Sequence, residues 1–170
     1  MKESPEQYAA RLSSYVAGKN HIRVLERTPD RLTALLKRVS RAHLVRRPHP
    51  DRWSVAEILA HLAEAEIAMG YRLRLVVSAP GTPVQAYDQN LWQNNAGYLL
   101  RDPRKTLRTF AVLREMNLAF VRTLDADKLS RYGIHVERGR ESILRMIELI
   151  AGHDQNHLTQ IKAILKGKTK

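Results

Sequence analysis

Apolar residues recur along the chain at intervals of three and four, the spacing that places side chains on one face of an α-helix. Two long stripes have this spacing; the first contains Ile58, Leu62, Ala65, Met69 and Val76, and the second contains Ile143, Ile147, Ile150, Ile161 and Leu165. Strict alternation of apolar and polar residues is nowhere sustained. The pattern predicts an all-α fold with helices over about 5–17, 29–40, 55–78, 103–124 and 141–166.

Residues that cap helices indicate where these helices begin. Ser54 and Glu57 form a capping-box pattern, and Trp53 before them can pack on Ile58 as a hydrophobic staple. A capping residue followed by Pro at the first helical position occurs in Ser4-Pro5, Thr28-Pro29 and Asp102-Pro103.

Two segments between helices attract attention as candidates for function. Segment 80–102 is too long for a plain helix connection, and its aromatic residues indicate order, so we expect a short helix at about 88–98. Stretch 131–140, with the sequence RYGIHVERGR, is predicted to be irregular. Loops of this kind tend to line binding sites.

The composition fits one globular domain. The 170 residues are 44% hydrophobic, and we expect a single domain over 1–170 with an N-terminal extension at 1–20 and a basic tail at 167–170. No apolar run has the length of a signal peptide or of a membrane-spanning helix, so a cytoplasmic protein is expected. Cysteine is absent, which excludes disulfides and thiolate metal sites.

The net charge of +12 is unevenly distributed, because residues 19–52 hold ten Lys or Arg residues against three acids. A solvated basic face is the ordinary interpretation. The alternative is a nucleic-acid-binding helical module in which His61, His153 and His157 have only a structural role. The low aromatic content of 6% and the lack of a recognition-helix or stacking motif make nucleic acid the less favoured partner.

Three histidines on predicted helices suggest a metal site. His153 and His157 lie four residues apart, so one helix face projects both rings, and His61 lies on a separate helix. Helical-wheel angles direct all three towards the bundle interior. Three His ligands leave one coordination position open, as in catalytic sites. Asp154 falls near the middle of its apolar stripe, where a carboxylate is costly unless it is paired or engaged near a metal.

Four pieces of the chain, in this order, are similar to the DinB-like (YfiT-like) metal-binding four-helix bundles. They are WSVAEILAHL at 53–62, YDQNLW at 87–92, HVERG at 135–139 and GHDQNHLTQI at 152–161. The resemblance covers about residues 25–165. It implies a four-helix bundle with an extra N-terminal helix and a long connection between the second and third bundle helices. It also implies a divalent metal, most often zinc or nickel, that is held by His61, His153 and His157. A homodimer is a further implication.

Members of known activity in that family are metal-dependent transferases or isomerases that use thiols such as bacillithiol or mycothiol, and others look like hydrolases. The resemblance therefore implies a thiol-dependent S-transferase or a hydrolase acting on a small molecule. Because the chain has no Cys, a thiol would have to arrive as a cosubstrate. The position of Val136 often carries Pro in relatives, so the conformation of its loop is an open question.

Further residues are candidates for the chemistry around this metal. Asp154 and Asp88 are catalytic candidates that would orient a ligand imidazole or serve as a base. The substrate-binding candidates are Trp92, His135 and Glu137 in the connecting segments, and Arg72 on the same stripe as His61.

Overall fold

The computed structural model describes residues 3–167, so all of the basic tail except Gly167 lies outside the described residues. The four longest helices are α2 (His21–Leu36), α4 (Val55–Ser78), α6 (Pro103–Val121) and α8 (Ile143–Leu165). The shorter helices are α1 (Pro5–Ser14), α3 (Arg41–Val45), α5 (Gln89–Asn95) and α7 (Ala126–Ser130), with a 3-10 turn at Tyr98–Leu100. None of the helices within residues 3–167 has the length and apolarity needed to cross a bilayer.

Helices α4 and α6 run parallel, as the two main apolar clusters of the core show. Ile58 of early α4 shares a cluster with Phe110 of α6, whereas Val76 of late α4 shares the other cluster with Leu118. Helices α2 and α8 contribute to these clusters in the reverse order and therefore run antiparallel to α4. The chain must return from the end of α4 to the start of α6. The 19 residues of α6 correspond to about 28 Å along the helix axis. Segment 79–102 makes that return, which explains its length.

The capping signals located two of the bundle helices well. Helix α4 begins after the Ser54 cap, with the capping box to Glu57 formed, and ends at Ser78 as predicted. Helix α6 begins at Pro103 after the Asp102 cap and ends three residues earlier than predicted. These signals act within a few residues of each helix end, so the sequence alone is enough to recognise them.

The predicted start of a helix at residue 29 is wrong. Helix α2 begins at residue 21 after an Asn20 cap, and Pro29 lies inside it. Proline has no N–H, so the carbonyl of Leu25, four residues earlier, loses its helical partner. Arg114 Nη1 of α6 donates to that carbonyl at 3.0 Å. A contact between distant parts of the chain therefore compensates for the proline.

The stretch predicted to be irregular forms part of a small sheet. Strands β2 (Tyr132–His135) and β3 (Gly139–Ser142) form an antiparallel hairpin, and β1 (Pro83–Val84) pairs parallel to β2. Each strand has only two to four residues, too few for alternation to be visible in the sequence. The sheet joins the return segment to the loop before α8. The fold remains a helical bundle, and the sheet is a minor addition.

A buried ion-pair network crosses the bundle interior. Arg114 donates to both carboxylate oxygens of Asp154, at 2.7 and 3.0 Å, and to Glu66 at 2.9 Å. Asn117 donates to the second oxygen of Glu66 at 3.1 Å. These three charged side chains are at most 3% exposed. The predicted cost of a carboxylate in the stripe of α8 is thus offset by a guanidinium from α6.

We predict that Arg114→Met lowers the free energy of unfolding by about 3–5 kcal/mol, because it leaves two buried carboxylates without a counter-charge. Urea denaturation followed by circular dichroism measures the loss. The triple variant Glu66→Gln, Arg114→Met, Asp154→Asn should recover most of it, since removing a whole buried charge network is often close to neutral. A loss below about 1 kcal/mol in the single variant would contradict this prediction.

Candidate metal centre

The three predicted histidines meet at one point between α4 and α8. His61 Nε2 lies 2.9 Å from His153 Nε2, which in turn lies 3.1 Å from His157 Nε2. One ligand atom from each ring lies within 4.8 Å of the other two. Their convergence follows from the i,i+4 spacing on α8 and from the contact of α4 with α8.

The hydrogen bond of His157 leaves a lone pair on its Nε2 atom, which faces the other two rings. His157 Nδ1 lies 2.9 Å from Gln160 Oε1, and because that oxygen can only accept, Nδ1 carries the hydrogen and Nε2 does not. Nδ1 atoms of His61 and His153 are buried and have no hydrogen-bond partner among residues 3–167. The ring of Trp53 lies 5.1 Å from that of His61 and helps to fix its position by packing.

Burial keeps the three imidazoles neutral. Desolvation lowers the pKa of His61 to about 3 and that of His157 to about 4, and it lowers the pKa of His153 well below its ordinary value. Repulsion between the rings acts in the same direction for His61 and His153. Neutral imidazole is the form that binds a metal ion.

The geometry fits one divalent cation. Ring nitrogens bound at about 2.0–2.1 Å in a tetrahedral zinc site lie about 3.3 Å apart, close to the separations found here. Without a cation, neutral rings at these distances either turn lone pairs towards one another or leave buried N–H groups unsatisfied, at about 1–3 kcal/mol each. A shared metal ion bound to the three Nε2 atoms removes the repulsion between lone pairs, and it places the ring hydrogens of His61 and His153 on their buried Nδ1 atoms.

A pocket of about 510 Å³ opens onto this centre. His61 and His153 lie on its wall, together with four of the candidates that the sequence indicated: Arg72, Asp88, His135 and Glu137. The return segment and the β2–β3 hairpin bring the last three of these into the pocket. Asp88 also caps α5, since its Oδ1 accepts from the backbone N–H groups of Asn90 and Leu91.

Two candidates lie away from the pocket wall. Trp92 stacks on Tyr87, with ring centroids 4.3 Å apart, and it is Tyr87 that lines the pocket. Asp154 is fully buried and bound to Arg114. This placement favours a positioning role for Asp154, and its catalytic role stays a prediction.

Comparison with known proteins agrees with this geometry. The sequence model of the DinB superfamily matches residues 24–161. The chain belongs to the DinB superfamily. A protein of Oceanobacillus iheyensis with the name “Putative metal-dependent hydrolase” is 27% identical over 116 residues, which cover 68% of this chain and 67% of that one. YfiT of Bacillus subtilis, which has the same descriptive name, is 23% identical over 141 residues, covering 82% and 79% of the two chains.

The solved structure of Bacillus subtilis YfiT is similar to that of this DinB-superfamily chain along nearly its whole length. The TM-score is 0.80 at 20% sequence identity, covering 97% of this chain and 89% of YfiT. That protein is described as having an unusual four-helix bundle topology. The likeness confirms the predicted fold class.

Helix α1 forms part of the pocket, which the sequence did not indicate. It lies before the segment that matches the DinB superfamily, yet Tyr8 and Leu12 line the pocket beside the histidines. Gly152, next to His153, permits this, since a Cβ there would lie 2.2 Å from the backbone oxygen of Leu12. The glycine before His153 was the one local signal that another backbone approaches α8 closely.

We predict that Gln160→Ala weakens metal binding about 10–100-fold while the bundle stays folded, because His157 loses the acceptor that fixes its tautomer. Thr159→Ala is the matched control, since Thr159 is exposed on the same helix and its hydroxyl donates to the backbone oxygen of Gln155. Competition with a chromophoric chelator measures both affinities. Equal affinities in the two variants would show that the hydrogen bond does not position the ring.

Proposed function

We propose that this protein is a metal-dependent hydrolase that acts on a small molecule. The observation that carries the proposal is the convergence of three buried, neutral imidazoles, two of which, His61 and His153, lie on the wall of a pocket large enough for a small-molecule substrate. The names of its relatives support the same reaction class. Zinc or nickel is the proposed metal, because an all-imidazole donor set suits both.

The side chains of the pocket would divide the work as follows. His61, His153 and His157 would hold the cation, which when bound acts as a Lewis acid and lowers the pKa of water. Asp88 and Glu137 supply carboxylates that can accept a proton at the pocket wall, because neither forms an ion pair within residues 3–167. A carboxylate so placed is a candidate general base.

A net negative charge beneath the centre would support the cation. The buried network contains one guanidinium and two carboxylates, and Asp154 directly follows His153 in the chain. Burial is the main cause that lowers the pKa of His157, and the charge of Asp154 acts in the opposite direction, whereas Arg114 acts to lower the pKa of His153. The negative charge of Asp154 would favour a divalent cation held by His157.

We predict one divalent metal ion per chain in protein purified without a His tag, and none in His157→Ala, which should keep its cooperative helical unfolding. The apolar clusters to which α4 and α8 contribute are formed by residues other than the three histidines, so the fold should not require the metal. Elemental analysis and circular dichroism measure the two properties. His43→Ala is the matched control, because His43 is exposed on α3 and should leave the metal content unchanged.

The thiol-dependent S-transferase is the second form of the proposal, because the same open pocket would admit a low-molecular-weight thiol. Titration of such thiols into cobalt-substituted protein distinguishes the two forms. A sulfur-to-cobalt charge-transfer band would select the transferase. An unchanged spectrum at millimolar thiol would select the hydrolase.

We also propose a homodimer. Helices α4 and α6 are close neighbours, and four large apolar residues on them are 51–67% exposed: Ile67, Tyr71, Val112 and Met116. Within each helix the two residues are four apart, so each pair lies on one face. An apolar face of this kind is typical of a surface covered by a partner.

We predict a mass in solution of twice 19.5 kDa by light scattering at micromolar concentration. The double variant Ile67→Glu, Met116→Glu should be monomeric, because it places charges in the proposed interface. Leu144→Glu is the control, since Leu144 is a comparably exposed apolar residue on α8. A monomeric wild type would refute the dimer.

A further inference from the structure

Arg72 is a half-buried arginine that has no carboxylate partner within residues 3–167. Its Nη2 donates to the backbone oxygen of Gln85, and its guanidinium lies 5.4 Å from the ring centre of Tyr87. Burial lowers the pKa of Arg72 below its ordinary value, which marks the cost of desolvating this charge. The other pocket arginine, Arg138, is held by both oxygens of Glu141, at 2.6 and 3.0 Å. Of these two pocket arginines, Arg72 is thus the one that forms no ion pair with a described residue.

His135 supplies a hydrogen-bond donor to the same pocket. The backbone N–H of Glu137 donates to His135 Nδ1 at 3.2 Å, so the ring hydrogen of the neutral imidazole is on Nε2. Within the described part of the chain that Nε2 has no acceptor, although His135 is only 2% exposed and lines the pocket. This nitrogen keeps some exposure to the pocket, so a ligand atom there can accept its hydrogen.

The distance along α4 indicates the shape of that ligand. Arg72 follows His61 by three turns of helix, which places both on nearly the same face with their Cα atoms about 16 Å apart along the axis. Both residues line the one pocket. A molecule that reaches both the histidines and Arg72 must therefore be elongated.

The acidic residues of the pocket wall favour a carboxylate over a phosphate as the anion bound by Arg72. Asp88 and Glu137 line the pocket, and neither takes part in an ion pair between described residues. A dianionic phosphate would be repelled by them more strongly than a carboxylate. The planar guanidinium of Arg72 also matches a carboxylate in shape and can bind both of its oxygens.

We propose that Arg72 and His135 form a carboxylate-binding subsite at the end of the pocket away from the three histidines. The substrate is then an elongated small molecule with a terminal carboxylate, whose reacting bond lies at the histidines. This inference rests on the proposed function for the reacting end only, because the carboxylate subsite itself needs no metal.

The test uses two probes that differ only at one end, suberic monohydroxamate with a free carboxylate and its carboxamide analogue. The hydroxamate end binds a metal ion, and the other end reaches towards Arg72. Isothermal titration compares their affinities in metal-loaded and chelated wild type, Arg72→Gln and Arg108→Gln. Arg108 is the control, because it is an exposed arginine on α6 with no ion pair among the described residues.

The wild type and Arg108→Gln should prefer the carboxylate probe at least about tenfold, and Arg72→Gln should not, since a charge-assisted pair is lost. His135→Phe should reduce the preference in part. Thermal unfolding and metal content confirm that each variant is folded and loaded. Equal affinity for both probes in the wild type, or an unchanged preference in Arg72→Gln, would overturn the subsite. If the preference persists but removing the metal weakens neither probe, the subsite stands and the metal-dependent function fails.

Discussion

The guanidinium of Arg114 contacts all four long helices of the bundle. It projects from α6, binds Glu66 on α4 and Asp154 on α8, and donates to the carbonyl of Leu25 on α2 that Pro29 leaves without a partner. A buried charge must be paired and hydrogen-bonded, and the contacts that satisfy this one link all four helices. The same network lies next to the histidines, because His153 directly precedes Asp154 on α8 and His61 lies on α4, the helix of Glu66.

The parallel course of α4 and α6 accounts for the pocket. Two parallel neighbours need a connection that returns along the bundle, and segment 79–102 passes over the face of α4 that carries His61 and Arg72. The β2–β3 hairpin pairs with that segment through β1 and adds His135. Helix α1 closes the pocket from the side of α8, where Gly152 admits its backbone. The chain therefore builds the site from segments that bundle packing alone does not require.

The features that local chemistry determines could be predicted from the sequence. The capping box at Ser54, the proline after Asp102 and the i,i+4 pair of histidines each act within a few residues, and the helices and the imidazole cluster agree with them. The start of α2 was misplaced because Pro29 has the local signature of a first turn, whereas its compensation comes from Arg114, far along the chain. The partner of Asp154, the short sheet and the role of α1 likewise depend on contacts between distant segments, which periodicity does not reveal.

The central claim is that His61, His153 and His157 bind one divalent metal ion. X-ray absorption at the metal edge of the purified protein tests it most directly. The account predicts three imidazole nitrogens at about 2.0–2.1 Å, with the multiple-scattering pattern of imidazole rings and one further light atom. A shell made of oxygen atoms alone, without imidazole scattering, would contradict it.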